Sequence, residues 1–466
     1  MATLKSLLPA IDWRRDLHLF SFNDLKLALD VNSGALHVLD EPAWEVLSLL
    51  AAKKGNVPHA FTELLPKWGG ITLGQVWREL KARQEEGSLF TSPLDFSSYN
   101  PPAPLLQALC LHVAHDCNLR CRYCFADGGP FGGQRGLMPL EVGRAALDFL
   151  MRASGPRRTV EVDFFGGEPL LNFSVVASLL DYGQEKAREA GKKIRFTLTT
   201  NGVGLTSEIE EFLNTHGVSV ILSLDGRPEV NDANRFFPDG EGSYSYVMPK
   251  LQSFVQNYPQ LDYWIRGTYT RQNLDFARDV LHLVSLGFKN ISLEPVIAGP
   301  EQPYSLRRED LPRIREEYQY LAGEFLRFYR EGRPFKFFHF ILDPEGGPCL
   351  IKRLSGCGAG TSYLAVTPDG QLFPCHQFVG QREFCLGDVY SGIKRPDLQE
   401  QFRLAHIGCK EGCRCCWARY YCSGGCHAAA FAAHRELLRP DEVACAIQQI
   451  RTEAALYIQA KIRLKI

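Results

Sequence analysis

Cys117, Cys121 and Cys124 stand in the spacing C-x3-C-x2-C. Thiolates packed into so short a run can wrap one face of a cubane [4Fe–4S] cluster and bind three of its irons. The fourth iron then has no local thiolate and is free to chelate a small ligand through nitrogen and oxygen. Zinc competes for any such loop, and buried Cys on an ordinary loop are the bland alternative. A second zone lies far downstream. Cys357, Gly370 and Cys375 read C-x12-G-x4-C, Cys413, Cys416, Cys422 and Cys426 read C-x2-C-x5-C-x3-C, and Cys445 follows. Of the fifteen Cys, only Cys110 precedes the first trio, and eleven fall between Cys349 and Cys445.

Other residues suit a small charged ligand. In Gly166-Gly167-Glu168-Pro169 the paired glycines permit close backbone approach, so carbonyls and the Glu carboxylate can receive an ammonium group. Ser223, Asp225 and Arg235 lie in LSLDGRPEVNDANR, where the guanidinium fork suits a carboxylate. Thr199 and Asn201, in FTLTTNG, are candidates for ribose contacts, as is Asp225.

These residues need a frame, and the sequence outlines one. Six apolar runs alternate with amphipathic stretches: Leu106 to Val113, Val160 to Phe165, Ile194 to Thr200, Val218 to Leu224, Trp264 to Thr270 and Asn290 to Val296. Polar residues recur at period two toward several strand ends, at Thr197, Thr199 and Asn201, at Ser223 and Asp225, at Arg266 and Thr268, and at Ser292 and Glu294. That places each set on one face, and in β/α barrels the chemistry sits at the C-terminal mouth. The expected architecture is α/β, a partial (β/α)6 barrel over residues 106–300. Residues 1–95 read as a separate unit, with strands Leu25 to Val31 and Ala35 to Asp40 around Asn32-Ser33-Gly34, a helix from Pro42, and a second helical run capped by Thr72. Ser92 to Pro104 reads as a linker. Residues 301–348 form a bridge containing a charged helix, Arg307 to Tyr329. Residues 349–450 are Cys-rich, with short strands at Leu364 to Val366 and Gln371 to Phe373, and are expected to need metal to hold together. A C-terminal helix is expected over 451–466.

A net charge of -1 and a pI near 6.9 give no reason to expect nucleic acid or an anionic membrane as partner. The opening MATLKSLLPAIDWRRDLHLF lacks the apolar run and cleavage site of a signal peptide, and no stretch is long enough to span a bilayer. The expectation is a cytoplasmic chain whose thiols stay reduced and free to ligate metal.

The C-x3-C-x2-C loop after the first strand, with Tyr123 before its last Cys, resembles the radical S-adenosylmethionine superfamily. The resemblance implies that the open iron binds S-adenosylmethionine and that one electron yields a 5′-deoxyadenosyl radical, which abstracts hydrogen from substrate. It assigns Gly166, Gly167 and Glu168 to the methionyl amino group, and Ser223 and Arg235 to the carboxylate. The downstream cysteines resemble the SPASM domain, a two-cluster extension of radical enzymes that modify peptides. By that resemblance Cys413, Cys416, Cys422 and Cys445 hold one cluster and Cys357, Cys375 and Cys426 the other, for three [4Fe–4S] clusters in all. The second set is one ligand short. It has either an open iron or a fourth ligand from Cys349, Cys385, Cys409 and Cys415, each of which is more often a buried apolar residue. CRYCFADGG, VDFFGGEPL, RGTYTRQNLDFARDVLHL and CWARYYCSGGCHA resemble the maturases of six-cysteine (SCIFF) peptides, which build thioether bridges in ribosomally made, sactipeptide-like precursors. The N-terminal unit resembles their winged-helix-like peptide-recognition domain. The implied partners are a Cys-rich precursor whose leader docks on residues 1–95 and a one-electron reductant of ferredoxin or flavodoxin type. Radical dehydrogenation or C–C crosslinking of a peptide would use the same clusters, and a metal-binding scaffold without turnover is the non-enzymatic alternative.

Overall fold

The computed structural model describes residues 11–96, 99–342 and 350–465. Three antiparallel strands open the fold: β1 (Leu17–Phe22), β2 (Leu25–Asp30) and β3 (Leu36–Leu39), in that spatial order. The β2–β3 turn is the expected one. Gly34 takes φ +76°, and Asp30 Oδ1 accepts from Ser33 N at 2.9 Å. Helix α1 (Glu41–Ala52) is capped by Asp40, which accepts from Ala43 N at 2.9 Å. Helix α2 (Val57–Glu85) breaks at Gly69, whose φ of 71° leaves the helical region. The helix has resumed by Thr72, so that residue is not the cap expected of it.

The N-terminal sheet is buried on both faces. Leu17 and Ala28 pack with Val46, Leu47 and Leu50 of α1. Phe20, Phe22, Leu25, Leu27, Leu29 and Val31 face the other way, into the core shared with the rest of the protein. Their cover is the C-terminal helix, which runs Glu442–Leu464, so the boundary expected at 450/451 falls inside one helix. Tyr457 lies 5.2 Å from Phe22 ring to ring and donates to Asp24 at 2.9 Å, and His18 Nε2 meets Glu453 Oε1 at 2.9 Å.

The six expected barrel strands are β4 (Ala108–Ala114), β5 (Thr159–Gly166), β6 (Lys193–Thr200), β7 (Ser219–Ser223), β8 (Tyr263–Tyr269) and β9 (Asn290–Pro295). They pair in parallel in sequence order. Helices cover them between strands, among them α3 (Leu140–Ala153), α4 (Phe173–Glu189) and α5 (Ser207–Thr215), and buried strand residues such as Val162, Phe164, Leu198 and Leu222 are fully enclosed. The charged bridge helix runs Leu311–Arg330.

The Cys-rich region continues the barrel's sheet. Strand β10 (Tyr363–Val366) pairs in parallel with β4, Leu364 opposite Leu109, and β11 (Gln371–Phe373) returns antiparallel to it. The first and second cysteine zones are thereby fixed in one frame, on neighbouring strands.

Candidate active site between two cysteine zones

The first loop leaves β4 and is held by GGEP. Gly167 N donates to Ala114 O at 2.8 Å and Glu168 N to Asp116 O at 2.9 Å. A Cβ on Gly166 would stand 2.2 Å from Ala114 O, and one on Gly167 would stand 2.2 Å from Asp116 O. No other residue type lets these backbones approach so closely. Glu168 has no exposed surface, and three donors occupy its carboxylate: Leu170 N at 3.0 Å, Thr200 Oγ1 at 2.7 Å and Asn201 N at 2.8 Å. Its structural duty is therefore to tie the end of β6 to the GGEP turn.

Arg120–Cys121 pairs antiparallel with Arg235–Phe236, so Arg235 is the cross-strand neighbour of Cys121. Tyr123 donates its hydroxyl to Asp225 at 2.6 and 2.7 Å, and Arg235 Nη1 donates to that hydroxyl at 3.2 Å and lies 3.9 Å from Asp225 Oδ1. Burial raises the Asp225 carboxyl to about 6, against the pull of Arg235 and Tyr123. Arg235 stays charged: burial opposes the cation, but Cys121, Tyr123 and Asp225 together hold it protonated. Thr199 and Ser223 lie half-buried at the ends of β6 and β7. Asn201 points back to the loop, donating to Asn118 Oδ1 at 2.7 Å with Cys117 Sγ at 3.6 Å.

The cysteine surroundings fit an iron–sulfur group. Leu119 N lies 3.4 Å from Cys117 Sγ, Gln449 Nε2 lies 3.5 Å from Cys416 Sγ, and a guanidinium flanks Cys121, so donors and a cation already face the sulfurs that would carry negative charge. Burial pushes the free thiols up, Cys117 and Cys413 to about 11 and Cys121 and Cys445 to about 12, so metal binding must displace protons. Among the described residues no three His, Cys, Asp or Glu converge tightly enough for a single ion. Ligands of a cubane each face a different iron and need not converge. Downstream, Cys413, Cys416 and Cys422 crowd Cys445, while Cys357 and Cys426 crowd Cys375. Cys349 lies outside the described residues. Of the other unassigned thiols, Cys409 and Cys415 are exposed rather than buried, because they sit on turns at the surface of the Cys-rich region. Cys385 is half-buried.

Several side chains in this space were not anticipated. The His376 ring lies 5.6 Å from Phe125 and 5.1 Å from Phe165, and Tyr363 OH is 3.4 Å from its Nδ1. Phe125 follows Cys124 and His376 follows Cys375, so this contact joins the two zones. Burial lowers His376 and His115 to about 4 and His112 further, which keeps all three imidazoles neutral. Asp163 is raised to about 6 by burial and by Glu161. At the mouth beside β8, Glu294 stays ionised despite burial because His339, at 3.0 Å, together with Arg451 and Arg266, holds its charge. The signal available for His376 was its place immediately after a ligand-type Cys.

Residues 111–248 match the Radical SAM superfamily. The matched segment runs from within β4 to beyond β7. It is 28% identical over 344 residues to the mycofactocin maturase MftC of Mycolicibacterium smegmatis, covering 72% of this chain and 81% of that protein. The solved structure of native anSMEcpe with bound AdoMet and Kp18Cys peptide superposes with TM-score 0.64 at 20% identity, over 78% of this chain and 100% of that one. Streptococcus suis SuiB bound to S-adenosylmethionine superposes with TM-score 0.51 at 16% identity, over 92% of this chain and 98% of that one. The radical SAM core and its Cys-rich extension therefore share a known fold, and the domain's family uses S-adenosylmethionine and a [4Fe–4S] cluster.

Proposed function

We propose that the protein is a peptide maturase that installs thioether bridges, joining Cys sulfur to carbon, in a ribosomally made Cys-rich precursor. The observation that carries this reading is a pocket of about 450 Å³ lined by Phe125, next to Cys124, and by Gln377 and Ala428, two residues beyond Cys375 and Cys426, so that residues flanking both cysteine zones share one cavity. A substrate segment in that cavity would have the first cluster on one side and the Cys357, Cys375 and Cys426 set on the other. Cys117, Cys121 and Cys124 would hold the first cluster, and Cys413, Cys416, Cys422 and Cys445 the distal one. When bound, the first cluster and S-adenosylmethionine supply one-electron hydrogen abstraction. The chain's own part is positional. Tyr123, Asp225 and Arg235 lock the cluster loop to the end of β7. Thr199 and Asn201 offer polar contacts to a nucleoside, and Ser223 to the methionyl carboxylate. Phe131 and Phe165 with three neutral imidazoles form an apolar wall, and Phe125 stands exposed at its edge.

The peptide's leader has a place on the N-terminal unit. Strand β3 is an edge, and a groove of about 770 Å³ runs along it, lined by Leu36, Val38, Leu80, Leu456 and Leu464. Asp30 N donates to Ala35 O, so by alternation Leu36 and Val38 turn their backbone groups outward, available to an added strand.

Thiol accounting tests the chemistry. Dehydrogenation, C–C crosslinking and thioether formation each remove two hydrogens, but only thioether formation consumes a thiol. Anaerobic turnover with a Cys-rich precursor should give a product two hydrogens lighter with fewer iodoacetamide-reactive sulfurs. A product of that mass with every Cys still alkylated would reject the thioether and leave dehydrogenation or C–C crosslinking.

A further inference from the structure

Lys410 is a buried amine that no carboxylate answers among the described residues. The residue is 1% exposed, and its Nζ donates to Gly424 O at 2.7 Å. Among the described residues no Asp or Glu forms an ion pair with it. Lysine is almost never buried this fully unless paired, because an isolated ammonium in low dielectric loses its hydration without recompense. Its neighbours are ligand-type cysteines: Gly424, whose carbonyl it meets, lies between Cys422 of one ligand set and Cys426 of the other, and Cys413 N donates to Lys410 O at 3.3 Å. The path is built for the side chain: Gly424, with φ +89°, lies between Cys422 and Cys426, and a Cβ there would stand 3.3 Å from Lys410 Cδ and 3.5 Å from Nζ.

We infer that Lys410 is the shared counter-cation of the two C-terminal clusters and raises the reduction potential of both. The inference rests on the reading that these cysteines hold [4Fe–4S] clusters. Reduction adds one negative charge to a cluster, and a fixed cation nearby stabilises the reduced state more than the oxidised one. In a protein interior that difference is screened far less than in water. A cation between two clusters acts on both and shifts both potentials in the same direction.

The test uses the full chain carrying Cys117→Ala, Cys121→Ala and Cys124→Ala, so that only the C-terminal clusters report. Iron content comes first. Absence of iron in this background overturns the cluster reading itself, independently of Lys410. With iron present, anaerobic EPR-monitored redox titration compares Lys410→Met and Lys410→Arg with the parent. At a fixed potential the Met variant should show the reduced-to-oxidised ratio of both clusters falling about tenfold, which for a one-electron couple is 59 mV, while Arg stays near the parent. Unchanged potentials in an iron-replete Met variant, or a change in only one cluster, would overturn the shared role. Should the Met variant fail to retain iron, Lys410→Gln and Lys410→Arg decide: iron held by Arg and lost by Gln supports the counter-cation, and equal behaviour of the two overturns it.

Discussion

Asp225 has no exposed surface, and burial raises its carboxyl to about 6 even beside Arg235. A folded-state value above the ordinary one means that the native protein binds this proton more tightly than the unfolded chain. Stability from this group is therefore full below pH 4 and is lost as pH rises through about 6. Relative to Asp225→Asn, the metal-free wild type should lose about 2 kcal/mol between pH 4 and pH 7, measured by denaturant unfolding at both values. A difference between the two proteins that does not move with pH would show that Asp225 is not held this way. What was legible at this scale was what the chain writes locally. The spacings of Cys117, Cys121 and Cys124 and of Cys413, Cys416 and Cys422 can be read because ligands on one loop must be near in sequence. Lys410, His376 and Asp163 could not be read, since their meaning lies in burial and in neighbours that only the fold brings together.

The six barrel strands were legible because apolar residues recur along them at period two between amphipathic helical stretches. β1 (Leu17–Phe22) was missed, although it pairs with β2 across the two-residue turn Asn23-Asp24. At this scale GGEP is a joint between two elements. Gly167→Ala would set a Cβ against the Asp116 carbonyl, a backbone atom that cannot swing aside. The expected outcome is loss of the first cluster alone, a fall of on the order of four irons per chain while the C-terminal clusters assemble. Iron and sulfide analysis decides it, and full iron in the variant would count against the joint. For the edge strand, Val38→Pro removes an outward N–H while leaving the β2 ladder intact. Leader-peptide affinity should fall at least about tenfold, the order of one lost hydrogen bond with its unpaired partner. S-adenosylmethionine cleavage without peptide should be unaffected, and undiminished affinity would move the leader elsewhere.

The whole molecule departs most from what the sequence suggested. The N-terminal unit reads as separate, yet its sheet buries one face against the C-terminal helix, and a buried cation clamps it to the Cys-rich region. Arg419 donates to Arg15 O at 3.0 Å and Asn32 Oδ1 at 2.6 Å and meets Asp16 at 3.4 Å, each of the paired side chains 1% exposed. The ring of His18 stacks on Trp417 at 3.7 Å. No local pattern marks such a pairing, since Asp16 and Arg419 are 403 positions apart. Removing one partner strands the other charge, so Asp16→Ala should destabilise the protein by about 3–5 kcal/mol, read by chemical denaturation. A loss below about 1 kcal/mol, the value of a surface pair, would mean that the clamp is open in solution. The C-terminal helix then serves three ends at once: Cys445 in its first turn, Arg451 toward Glu294 at the barrel mouth, and Glu453 with Tyr457 against β1 and Asp24 of the N-terminal sheet. A peptide gripped at that groove and threaded between the cysteine zones is the central claim, and hydrogen transfer tests it most directly. Turnover with a precursor deuterated at carbon should deliver deuterium into 5′-deoxyadenosine, and the label should vanish when Cys117, Cys121 and Cys124 are replaced by Ala. Cleavage of S-adenosylmethionine that yields only unlabelled 5′-deoxyadenosine at every deuterated position would contradict the claim that the peptide is the radical's target.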